Sequence, residues 1–105
     1  MIKLTVLYAQ PKDAAAFERY YIDIHTPIAL KVKGLRRFEI SKIAATADGS
    51  PSRYYRTADL YFDDMAAMQK ALGSPEGRAA AADIANFASG GATMLICESQ
   101  VLSSI

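Results

Sequence analysis

Apolar side chains alternate with polar ones in four separate stretches of this chain, and in two of the intervals between them they recur at helical spacing instead. The order is strand, helix, strand, strand, helix, strand, which leaves few folds open. A chain of 105 residues has room for one domain, spanning 1–105, with one core. The usual solution for this order is a four-stranded antiparallel sheet with both helices on one face, a ferredoxin-like βαββαβ domain of the α+β class.

Ile2, Leu4, Val6 and Tyr8 mark the first strand. A helix is expected from Pro11, with Asp13 at its positive end, to about His25, burying Phe17, Tyr20, Tyr21, Ile24 and Ile28. Pro27 disfavours a helical conformation at Thr26, so a break is expected there, followed by a short helical turn through Lys31. Gly34 releases the second strand, Leu35 to about Ile43, and the Asp48-Gly49 loop leads to the third, Arg53 to Phe62. Asp63 or Asp64 caps the next helix, Ser74-Pro75-Glu76 restarts it, Gly90-Gly91 stops it, and the last strand runs from Met94 to Val101.

The second face of the sheet then decides the assembly. It is expected to carry Thr5, Leu7, Tyr55, Thr57, Tyr61, Leu95, Cys97 and Val101, an apolar set that monomers avoid exposing. A partner sheet covering that face implies a homodimer. Asp59 lies on the same face and is expected to meet a cation of the second subunit or water at the sheet edge.

Half the residues are apolar (51%), 22% are charged, and the net charge of +1 is scattered, so neither a nucleic-acid partner nor a membrane is expected. Cys97 is the single cysteine and reads as a buried core thiol. The N-terminal segment lacks the basic and long apolar regions of a signal peptide, from which a cytoplasmic location is expected.

His25 is the only histidine. At the end of a helix the backbone field favours its cationic form, which suits a general acid or base. Tyr21, four residues earlier, shares its face, so the two form the candidate catalytic pair. Tyr20 points about 100° away, and Asp23 reads as solvated. One histidine and one cysteine do not make a zinc site, and no phosphate loop or dinucleotide fingerprint is present, so no metal and no cofactor are expected.

Several of these residues also carry a resemblance. Tyr21-x-x-x-His25-x-Pro27-Ile28, Gly34-Leu35, Leu60 to Met65, Ser74-Pro75-Glu76-Gly77, Asp83 and Asn86-Phe87 resemble the EthD (ethyl tert-butyl ether degradation) family of the dimeric α/β-barrel superfamily. Lys33-Gly34-Leu35 departs from the Pro-Gly-Leu usual in that family. The resemblance implies two sheets forming a barrel, with Phe62 and Phe87 lining an apolar pocket and Tyr20 and Asp83 beside it. It does not select a reaction, because the superfamily includes monooxygenases, isomerases, cyclases, haem enzymes and proteins without known activity. The leading expectation is a protein acting on a small apolar or aromatic metabolite with His25 as acid or base; the alternative is a non-catalytic auxiliary or ligand-binding protein of an oxidative degradation pathway. A haem held by His25 stays open by the same resemblance. An RNA-binding module on the same plan ranks last, because the third strand lacks the aromatic signature such modules use.

Overall fold

In the computed structural model, which describes residues 1–104, the six elements appear in the expected order. Strands β1 (Ile2–Ala9), β2 (Arg37–Lys42), β3 (Tyr54–Phe62) and β4 (Ala92–Glu98) form one antiparallel sheet in the order β2-β3-β1-β4. Helical segments α1 (Ala14–Tyr20), α2 (Thr26–Ala29), α3 (Met65–Gly73) and α4 (Pro75–Asp83) lie on one face of it. Ile2, Leu4, Val6 and Tyr8 alternate into the core from β1, facing Ala58, Leu60 and Phe62 of β3. Phe17, Tyr21 and Met68 close the core from the helices.

The helix starts follow local chemistry. α1 begins later than expected, because Asp13 is itself the N-cap and accepts the Ala16 amide at 3.1 Å. Asp64 caps α3 and Ser74 caps α4, whose first residue is Pro75. The turn between α3 and α4 is tight: a Cβ on Gly77 would sit 2.1 Å from the Ala71 carbonyl oxygen. Only glycine permits that approach.

Four expectations about the open face need correction. β1 and β3 slip by one residue after Tyr8, where Tyr8 opposes Arg56 but Ala9 opposes Tyr54. The extra residue is Tyr55, and the bulge turns it toward the helices, where it packs on Phe17 and its hydroxyl donates to Glu18 at 2.7 Å. Asp59 needs no second subunit: Thr5 donates to it at 2.6 Å and Lys3 lies 3.4 Å away, both from the neighbouring strand of the same chain. Cys97 is only half-buried, beside Thr5 on this face, and Val101 lies beyond β4 and is exposed. β4 is an edge strand that the helices leave largely uncovered, with Met94, Leu95 and Ile96 about half exposed.

Candidate functional site

The helix does not break at Pro27. Residues Tyr21–His25 form a π turn between α1 and α2, and Thr26 keeps a helical conformation. Proline lacks an amide and crowds the carbonyl one turn earlier, so the backbone widens by a residue there instead of stopping. The Tyr21 carbonyl accepts both the Thr26 amide and, at 2.8 Å, the Thr26 hydroxyl. This turn sets the phase of the buried stripe. Residues four apart drift by about 40° per step on a regular α-helix, yet Phe17, Tyr21, His25 and Ala29 are all buried. The wider turn absorbs the drift and leaves Ile24 exposed, contrary to expectation.

His25 is therefore an interior residue, 5% exposed, rather than a helix-end one. Its Nδ1 lies 2.9 Å from Oδ2 of Asp83, the last residue of α4. The other carboxylate oxygen accepts the Tyr20 hydroxyl at 2.6 Å and the Asn86 amide at 3.0 Å. Burial raises the Asp83 pKa, but the bonds from Tyr20, Asn86 and His25 outweigh it and hold the carboxyl below its ordinary value. An ionised carboxylate only accepts, so the imidazole hydrogen sits on Nδ1. The bond to Asp83 raises the Tyr20 phenol in turn.

Two aromatic rings that also touch each other pack against the imidazole. Tyr21 stacks on it at 5.7 Å and 15°, and Phe87 meets it at 4.6 Å. Tyr20 stacks on the same Phe87 at 5.5 Å. His25 and Tyr21, together with Tyr8, border a cavity of ≈ 140 Å³ between sheet and helices. The rest of its wall is apolar: Leu4, Val6, Ala58 and Leu60 from the sheet, and Leu72 and Ile84 from the helical layer are among its members. Asp83 is absent from that wall and opens instead onto an outer groove between α2 and α4, shared with Lys31, Glu76 and Asn86. The pair thus links an interior cavity to the outer surface.

The Tyr21 hydroxyl is buried without a hydrogen-bond partner among the described residues, and burial pushes its pKa up to about 12. Arg56 lies over the Tyr21 ring at 5.4 Å while its guanidinium pairs with Glu18 at 2.9 Å. Burial, reinforced by Tyr21, raises the Tyr8 phenol as well.

Of the residues singled out in the sequence, His25, Tyr20, Tyr21, Asp83 and Phe87 come together, and Asp23 is exposed. Phe62 is fully buried but stands outside the cavity wall, and Phe87 backs the imidazole without reaching that wall. Tyr8 has no signal in the sequence beyond its place in a strand. Asp83 has one: an acidic residue at the last position of a helix opposes the backbone dipole and needs a tertiary partner. Among the described residues no group of three His, Cys, Asp or Glu side chains could hold a metal ion. A haem does not fit beside His25, because a cavity of ≈ 140 Å³ takes about one small ring.

Fold and site together define a ferredoxin-like α+β protein with a buried histidine–aspartate pair at the edge of an apolar cavity. The chain belongs to the EthD family: the EthD domain profile matches residues 9–91. An uncharacterised 11.0 kDa protein from Rhodococcus erythropolis, from the thcB–thcC intergenic region, is 41% identical over 102 residues, covering 97% of this chain and 98% of that protein. An EthD family protein from Bacillus halodurans has a crystal structure that superposes with a TM-score of 0.90 at 35% identity, over 95% of this chain and 99% of that one. A dimeric ferredoxin-like protein of unknown function from Thermobifida fusca shares the fold at 15% identity, with a TM-score of 0.68 over 91% of this chain and 88% of that one. Among the described residues no helix is long and apolar enough to cross a membrane.

Proposed function

We propose that this protein binds a small apolar or aromatic molecule in the cavity beneath its helices and that His25 exchanges a proton with it at Nε2. One observation carries the reading: an imidazole anchored by an ionised carboxylate through Nδ1 stands in the wall of an otherwise apolar cavity. With Nδ1 committed to Asp83, Nε2 is the nitrogen left to accept or deliver a proton. Asp83 stabilises the imidazolium formed when Nε2 takes one and holds the ring in register. That makes Asp83 a positioning residue rather than the substrate-binding one the sequence suggests. Tyr20 and Asn86 hold Asp83 in turn, and Phe87 and Tyr21 fix the ring plane. Proton transfer of this kind uses no bound cofactor.

Solvent-deuterium incorporation into a panel of small cyclic ketones and phenols tests the proposal for any reaction that begins with proton exchange. The wild-type protein should label at least one member, and His25→Gln should lower the rate by about 100-fold or more. Equal rates in the two proteins would refute the assignment. Ligand binding unaffected by His25→Gln, with no labelling by either protein, would favour the auxiliary binding role.

The assembly we propose is a homodimer. Leu7 and Leu95 on the helix-free face, with Met94 and Ile96 on the other side of β4, make a continuous apolar edge that a second copy would cover. Equilibrium sedimentation should give twice the chain mass at micromolar concentration, and Leu95→Lys should shift it toward the single-chain mass.

A further inference from the structure

Resting on the reading of the cavity as a ligand site, we infer that its ligand is a neutral molecule of one six-membered ring carrying a hydroxyl or ring carbonyl oxygen. Size comes first. An apolar cavity of about 150 Å³ accepts benzene, and this one is ≈ 140 Å³. A second fused ring exceeds that volume and would have to project out of the cavity.

The wall's chemistry sets the charge. Among the described residues no lysine or arginine borders the cavity, and Arg56, whose guanidinium lies over the Tyr21 ring, is committed to Glu18. A carboxylate or phosphate would find no positive charge except a His25 imidazolium that Asp83 already balances, and apolar walls cannot offset its desolvation cost. An ammonium group would face the same want of a partner.

The single oxygen follows from an observation independent of volume. Tyr21 is 1% exposed and is the one residue whose buried side-chain oxygen lacks a well-formed hydrogen bond among the described residues, the Tyr8 hydroxyl standing near enough to lower its pKa but not in bonding geometry. Such a hydroxyl normally has a partner in a folded protein. Tyr21 and Tyr8, both in the wall, keep their phenols neutral at neutral pH, so each can donate as well as accept. His25 belongs to the same wall, and with Nδ1 on Asp83 its Nε2 is the nitrogen left for a ligand. One ligand oxygen among these groups satisfies the Tyr21 hydroxyl, while the hydrocarbon part of the ring meets Leu4, Val6 and Leu60.

Titration calorimetry with phenol, toluene, benzoate and 1-naphthol tests each element separately. Phenol should bind about tenfold or more tightly than toluene, as expected for satisfying a buried hydroxyl. Benzoate should fail on charge and 1-naphthol on size. Tyr21→Phe keeps the ring and its packing, and should bring phenol to within about threefold of toluene. Nuclear Overhauser contacts from phenol to the methyl groups of Leu4 and Val6 should place it in the cavity. Equal affinity for phenol and toluene, 1-naphthol binding as tightly as phenol, or absence of those contacts would overturn the inference. The acid–base reading is scored separately: in ligand-free protein the nitrogen-15 spectrum of the single histidine should show hydrogen on Nδ1. That signal persists if only the ligand class is wrong.

Discussion

Asp83 and Asp59 are two carboxylates in nearly matched settings with different consequences. Each accepts a hydroxyl at 2.6 Å, from Tyr20 and Thr5 respectively, and each has a cationic or potentially cationic partner. Asp59 meets Lys3 at 3.4 Å on the open face of the sheet, with side chains 16% and 27% exposed. Asp83 meets His25 at 2.9 Å between helices and sheet, where both are almost fully buried. Lysine stays charged across the physiological range, and Lys3 reaches water. His25, by contrast, borders a cavity. Similar hydrogen bonding is therefore a brace on one face and, in the function we propose, a proton-handling pair on the other.

The sharpest separation of the two should come from removing each carboxylate. Asp83→Ala strips acceptors from Tyr20, His25 and Asn86 at once, and should lower the unfolding free energy by about 2–4 kcal/mol in urea titration. A loss as small as that from the open face would mean that the two clusters are equivalent braces. Acidification comes next. Because the folded Asp83 pKa lies below its ordinary value of 3.8, the unfolded chain binds the proton more readily. Stability from this group is present above about pH 4 and is lost as pH falls through the folded value. Asp83→Asn should flatten that acid limb in part, leaving the slope due to Glu18, Asp48 and Asp63, which are also held low. An unchanged limb would show that Asp83 contributes nothing to it. The smallest effect is expected from Asp59→Asn, which weakens the Lys3 pair and keeps an acceptor for Thr5. About 0.5–1 kcal/mol is the scale of a partly exposed ion pair, and the loss should shrink at high salt.

The plan of the fold is legible because its signals are local: alternation in β1 and β3, Asp64 and Ser74 before their helices, and Gly49 with its positive φ at the hairpin. Two local rules mislead for the same reason. Pro27 predicts a helix break, but the chain answers a missing amide with a π turn when the flanking residues pack on the sheet. Strict alternation assigns Tyr55 to the open face, but one inserted residue reverses that sense. Both errors are local shifts in phase: past the bulge, Ala58, Leu60 and Phe62 still alternate into the core as expected.

Sequence alone determined the element order, the antiparallel sheet, the family and the prominence of His25, all of which follow from spacing along the chain or from residue identity. Tertiary structure decided what surrounds His25. Its partner Asp83 is 58 residues away, the cavity beside it exists only when α4 lies over β1 and β3, and the unpaired Tyr21 hydroxyl is visible only once burial is known. Proximity across such separations comes from packing of the whole core, which no local pattern encodes.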